Sequence, residues 1–243
     1  MLSDLIGVAV LLVYYLVACF LLPTFLKGCV GVPNELARKF QHISYALSIF
    51  ILTEMFSAWY IAIGAAFVLV LIAYPLLKLI EKTTFYRRFL TDRSPRGGEL
   101  RRQMLYVQLS FAILIFFYWG VLGTRWLYIA IVAIMAWGFG DAAAALIGKA
   151  FGRRRIVHKL IEGAKTIEGT TAGIVVAIVA SFITLLFYAD LSWYLSLLIS
   201  VIVGIACGVV ELFSRRGTDT LTVPLAAATV ALPLVYLFSL TGW

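Results

Sequence analysis

Charge is scarce in this 243-residue chain: Asp, Glu, Lys and Arg together make up only 13% of it. A soluble domain carries about 25%. Hydrophobic residues reach 63% and mean hydropathy is +1.02, more apolar side chain than one globule of this size can bury, which excludes a soluble enzyme. Cysteine is scarcer still. Cys19, Cys29 and Cys207 are scattered, with no C-x-x-C pair, so neither a disulfide framework nor a thiolate zinc site is expected. A basic leader is absent too: Asp4 opens the chain, no small-residue cleavage pattern follows, and the first apolar run reads as a span and not as a signal peptide. The 19 glycines follow no triplet period and aromatics make up 14%, excluding collagen-like and disordered chains. The remaining class is an all-α, polytopic integral membrane protein.

A spanning helix needs about 20 apolar residues. Apolar runs predict eight, near 4–26, 36–53, 57–79, 103–121, 125–147, 168–188, 192–211 and 222–240. The second is the most polar, with Arg38, Lys39 and His42 in its first turns. The chain is expected to form a single transmembrane domain over 1–243, with cytoplasmic loops near 27–39, 80–102, 148–167 and 212–221. Eight spans place nineteen of the twenty Lys and Arg residues, all but Arg125, at that face. The positive-inside rule makes it cytoplasmic and puts both termini on the other side. Seven spans would scramble the segregation. The net charge of +8 is topogenic and suits anionic lipid or a polyanionic substrate; short basic loops without a stacking platform exclude nucleic acid.

Acids carry more information. Asp141, in Trp137-Gly-Phe-Gly-Asp-Ala-Ala-Ala-Ala, sits near the inner end of the fifth span, where a carboxylate is costly and functional by default; the small residues around it equally suit helix packing. Lys165-Thr-Ile-Glu168-Gly-Thr170 opens the sixth span. A helix N-terminus offers free N–H groups to an anion, Lys165 adds positive charge, and Glu168 lies three residues on, on the same helix face. Glu211 ends the seventh span and Asp219 precedes the eighth, although Asp219 is also placed to cap a helix. Carboxylates converging at one depth call for a cation, and Mg2+, held by a few carboxylates and substrate phosphates, fits. Arg38 and His42 stand at i and i+4, and Arg96-Gly-Gly-Glu99-Leu forms a weaker cluster.

At these residues the sequence resembles the CTP-dependent membrane lipid-alcohol kinases: phytol kinase, dolichol kinase and CTP-dependent diacylglycerol kinase. The resemblance rests on Gly140-Asp141-Ala with Gly148-Lys149-x-x-Gly152, on Lys165-Thr-x-Glu168-Gly-Thr170, on Glu211 followed by Gly217-Thr-Asp219-x-Leu-Thr222-x-Pro224, and on Arg38-Lys39-x-x-His42, all in family order. Chain length and the Arg96-Gly-Gly-Glu99 segment look closest to phytol or polyprenol kinase; Thr220 departs from the asparagine common in the related motif. The resemblance implies transfer of the CTP γ-phosphate to a lipid hydroxyl. It assigns Asp141, Lys165 and Glu168 to catalysis, with one of the acids Asp141, Glu168, Glu211 and Asp219, Asp141 the first choice, accepting the alcohol proton. Lys149, Lys165, Thr166, Gly169, Thr170 and Arg215 would bind nucleotide, and Asp141, Glu168, Glu211 and Asp219 would ligate Mg2+. Arg38, Lys39, His42 and Glu99 would serve the lipid head group. The lipid alcohol, CTP and the bilayer are the expected partners; no oligomeric state is assigned.

Two other readings compete. A phosphatidate cytidylyltransferase would also use CTP but release pyrophosphate, and its aspartate-rich C-terminal signature is missing here. A transporter or flippase would place its polar residues at the bilayer midplane, whereas these gather at one rim and no internal repeat is visible.

Overall fold

The computed structural model describes residues 2–92, 98–215 and 217–240, without the side chains of Arg87, Arg88 and Leu240. Arg96 of the Arg96-Gly-Gly-Glu99 cluster lies outside them. Among the described residues there is no strand, only an isolated antiparallel bridge between Arg155 and Thr166. Seven helical stretches are long and apolar enough to cross a bilayer: Leu2–Gly28, Trp59–Ile80, Glu99–Val121, Thr124–Phe151, Ile167–Tyr188, Trp193–Phe213 and Asp219–Ser239. At 1.5 Å per residue their 21 to 28 residues cover the roughly 30 Å hydrocarbon core. The chain is polytopic and all-α.

The chain divides into two compact units, Met1–Phe116 and Phe117–Trp243. The first contains α1 (Leu2–Gly28), α2 (Asn34–Glu54), α3 (Trp59–Ile80), a short α4 (Thr84–Phe89) and α5 (Glu99–Ile115). In the second, a π-helical turn over Phe116–Val121 is followed by α6 (Leu127–Phe151), α7 (Ile167–Tyr188), α8 (Trp193–Phe213) and α9 (Asp219–Leu240).

The expected second span forms as α2, but it is not among the seven helices that are long and apolar enough by composition. The reason is its inward face. Arg38, Lys39, Gln41, His42, Ser44, Ser48 and Thr53 are all buried within their own unit, so α2 is the polar spine of that unit. Its groups find partners on neighbouring helices: Tyr15 Oη and Ser48 Oγ are 3.0 Å apart, Gln108 Nε2 donates to Tyr15 Oη at 3.0 Å, and Tyr14 Oη donates to the Ser44 carbonyl at 2.8 Å. α1 is adapted to the same spine. Pro23 has no N–H to offer Cys19, four residues earlier; α1 widens to a π-helix over Tyr15–Leu21, and Gln41 Nε2 donates to the Cys19 carbonyl at 2.7 Å. Buried polar groups in a membrane protein need such internal partners.

α5 begins four residues before the expected 103. Gly98 precedes it in the left-handed region (φ 92°), and the Asp92 carboxylate accepts from the Glu99 and Leu100 amides at 3.1 and 3.4 Å, capping the helix. α6 likewise runs to Phe151, four residues beyond the expected 147, and carries Lys149 in its last turn.

Candidate active site in the second unit

Small residues bring α6 and α7 together. A Cβ placed on Gly169 would stand 2.7 Å from the Ala144 carbonyl and 2.8 Å from Gly148 Cα; one on Gly173 would meet Ala144 Cβ at 2.9 Å. Only glycine permits this approach, the small-residue contact typical of packed membrane helices. Glycines four apart on α8, Gly204 and Gly208, admit Ile174 and Ile178 of α7 in the same way.

Where α6, α7, α8 and α9 converge they enclose a cavity of about 20 Å3, room for about one water. Asp141 and Gly140 of α6, Thr170 and Gly173 of α7, Cys207, Gly208 and Glu211 of α8 and Val223 of α9 line it, with Trp137 behind. Asp141 is buried, only 7% exposed. Two carboxylates from helices about seventy residues apart in sequence thus share one small chamber. Trp137, Cys207 and Gly208 were missed in the sequence. The Gly204-x-x-x-Gly208 spacing is the signal that could have pointed to this face of α8.

Lys165 stands at the rim, immediately before α7. Its ammonium donates to the Glu211 carboxylate at 2.6 Å and also to the Glu211 backbone carbonyl, so it neutralises one lining acid and caps the negative end of α8. Thr166, expected to bind nucleotide, is the N-cap of α7: its Oγ1 accepts from the Gly169 amide at 3.2 Å. Glu168, expected as a metal ligand, faces the loop from α6 and accepts from the Arg153 and Arg154 amides at 3.1 to 3.3 Å. It lines a separate surface depression with Phe151 and Gly152, not the Asp141 chamber. Asp219 opens α9 outside the chamber lining, and Lys149 is exposed on the last turn of α6. Arg215 donates to the Leu160 carbonyl at 3.3 Å, joining the α8–α9 connection to the α6–α7 loop. The structure therefore brings Asp141, Thr170, Glu211 and Lys165 together and sets Glu168, Asp219 and Lys149 around them. Among the described residues no three His, Cys, Asp or Glu side chains form a ready-made metal cluster.

The remaining candidates belong to the first unit. Arg38 pairs with Glu35, and its Nη1 lies 3.4 Å from His42 Nε2, which also meets Gln103 Nε2. Lys39 is buried beside them. Glu99 holds the first position of α5, and at the same end Arg101 pairs with Glu81 and lies over the Tyr74 ring. Near it Tyr86 Oη donates to Asp92 at 2.6 Å. Burial first, and then the hydrogen bond to Asp92, raises the Tyr86 phenol above its ordinary value.

Seven helices long and apolar enough to cross a bilayer accompany a chamber lined by two acids, Asp141 and Glu211. Residues 4–214 match the cytidylyltransferase family, and the chain belongs to it. Among curated proteins it is similar to the phytol kinase of Synechocystis sp. (strain ATCC 27184 / PCC 6803 / Kazusa), 34% identical over 110 residues. That alignment covers 44% of this chain and 44% of the relative. Both findings fit the CTP-dependent lipid-alcohol kinases indicated by the motifs. No solved structure matches the chain.

Proposed function

We propose that the protein transfers the γ-phosphate of CTP to the hydroxyl of a membrane lipid alcohol, an isoprenoid alcohol such as phytol or a polyprenol, or diacylglycerol, giving the lipid monophosphate and CDP. The observation that carries this reading is the meeting of Asp141 and Glu211 in one chamber with the Lys165 ammonium at its rim. The match to a phytol kinase supports it. Phosphoryl transfer is mostly positioning and charge neutralisation, and this set supplies both.

The donor set suits Mg2+. This ion is held by one or two carboxylates together with substrate phosphates, so Asp141 and Glu211, which both line the chamber, are the residues that would hold it. Bound there, it would draw charge from the β- and γ-phosphates. Lys165 would exchange Glu211 for the triphosphate, and the Thr170 hydroxyl would donate to it. Asp141 has a second carboxylate oxygen for the alcohol proton. As the lipid oxygen bonds to the γ-phosphorus, the bridge to the β-phosphate breaks and CDP leaves with the electron pair. Glu168 would act indirectly, by holding the 153–154 amides and so the loop that ends in Lys165. The Arg38, Lys39, His42 and Glu99 group is proposed to serve the lipid head group. The basic face is proposed to be cytoplasmic, where nucleotide is available.

The family description favours a second reading, transfer of CMP to a lipid phosphate with release of pyrophosphate. Purified protein given Mg2+ and CTP labelled at either the α or the γ position separates the two. The kinase moves the γ label onto a lipid alcohol. Movement of the α label onto phosphatidate instead would replace the kinase with a cytidylyltransferase.

A further inference from the structure

Residues 152–165 leave α6 and return to α7, two spans, and so lie at a single membrane surface. The loop has a fixed backbone. Ile156 N donates to the Lys165 carbonyl at 2.9 Å and Ile167 N to the Arg154 carbonyl at 3.0 Å, and Arg215 braces Leu160 from the far side. Such pairing sets which side chains project.

Most of those that project are of two kinds, with His158 and Glu162 exposed beside them. Arg153, Arg154, Arg155 and Lys159 are exposed, and none forms a salt bridge among the described residues. Among and just after them Val157 is 91% exposed and Leu160 47%. Bulk water gives an aliphatic side chain no reason to project from a braced loop. A bilayer surface accommodates both kinds, with aliphatic groups below the head groups and cations level with the phosphates.

We propose that this loop docks on anionic phospholipid, with Val157 and Leu160 entering the interface and Arg155 and Lys159 lying on lipid phosphates. Charge complementarity selects the occupant. The phosphates of a nucleotide would satisfy the cations but leave Val157 without a partner. The docking stands on the loop alone and so goes beyond the kinase reading. It bears on the site because the same backbone presents Lys165, so bilayer charge would set how that lysine is held.

The test uses the full chain with Cys19, Cys29 and Cys207 changed to Ala and a bimane on Val157→Cys. It is placed in nanodiscs of phosphatidylcholine, alone or mixed with phosphatidylglycerol, that carry a lipid-attached nitroxide. Leu160→Cys is the second reporter. Quenching is expected to be several-fold stronger with phosphatidylglycerol, and to fall to the phosphatidylcholine level in high salt and in the R155Q/K159Q variant. Equal quenching in both bilayers, or none in either, overturns the proposal. So does emission that responds to CTP and not to phosphatidylglycerol, which would give the cations to the nucleotide. Because bimane emission needs no turnover, failure of the kinase assay and failure of docking are read separately.

Discussion

The Lys165–Glu211 pair gives the most exacting test of the site. Their side chains are 20% and 17% exposed, between the regime of surface pairs, worth about 0.2–1 kcal/mol, and that of buried pairs, where losing one partner costs about 3–5 kcal/mol. A double-mutant cycle of Lys165→Met and Glu211→Gln should therefore show a coupling of roughly 1–2 kcal/mol in unfolding. Nucleotide binding should behave differently, because Lys165 is proposed to leave Glu211 for the phosphates. A hydrogen bond to a charged group is worth about 1.5–3 kcal/mol, so Lys165→Met should weaken binding of a fluorescent CTP analogue about 10- to 150-fold. Glu211→Gln has the opposite sign without Mg2+. It removes a negative charge from the chamber and frees the ammonium, so metal-free analogue should bind more tightly. If Lys165 were only a cap for α8, its loss would leave the nucleotide Kd within twofold of wild type. A raised lipid KM beside an unchanged nucleotide KM would reverse the placement of the two substrates.

Asp141→Asn should lower phosphoryl transfer by about 10²- to 10⁴-fold while circular dichroism stays that of the wild type, since the change is nearly isosteric and removes a buried charge; turnover close to normal would take Asp141 out of the catalytic set. Gly169→Ala sets a methyl against the Ala144 carbonyl and Gly148 Cα, at 2.7 and 2.8 Å. It should cost about 1–3 kcal/mol and lower the melting temperature in detergent, and an unchanged melt would mean that α6 and α7 do not pack this closely. Thr166→Ala should cost about 1 kcal/mol as a lost N-cap, with Thr166→Ser restoring it. Serine failing to rescue would argue that the Thr166 hydroxyl does more than cap α7.

What the sequence discloses follows from the cost of burying charge. Asp141 and Glu211 stand out because an ionised group is rare in a run of apolar residues, Lys165 because it directly precedes a span, and the structure gathers all three around one chamber. Glu168 looks equally prominent in the chain, yet its partners are backbone amides of residues 153 and 154. Such pairing depends on loop conformation and leaves no trace in residue types. The polar spine of the first unit is hidden for a related reason. Tyr15 meets Gln108 across 93 residues and Gln41 meets Thr91 across 50, separations that no periodicity reports. The start of α5 slipped because Asp92, seven residues before Glu99, caps it. The interior of the spans was legible, because apolar length alone decides it.

Whether α2 crosses the bilayer determines whether the basic loops share one side. Its 21 residues make a helix of about 31 Å, long enough to span, and its polarity faces inward to Tyr15, Gln103 and Gln108 rather than to lipid. A helix that buries most of its polar groups among partners carries less penalty in hydrocarbon than its hydropathy suggests, even though Asn34 Oδ1 and Arg38 Nε make no hydrogen bond among the described residues. With α2 crossing, the Lys27 and Arg38 end of the first unit faces the same side as its Arg101 end, as the positive-inside rule asks. In the cysteine-free background, Val30→Cys and Glu54→Cys lie at the two ends of α2, both exposed. Val157→Cys and Asp190→Cys do the same for α7. A membrane-impermeant maleimide applied to intact cells should label positions 54 and 190, and should reach 30 and 157 only after the cells are opened. Labelling of 30 and 54 from the same side would make α2 a helix that does not cross. The termini would then lie on opposite faces, and the Lys27 end of α1 would face away from the Arg101 end of α5.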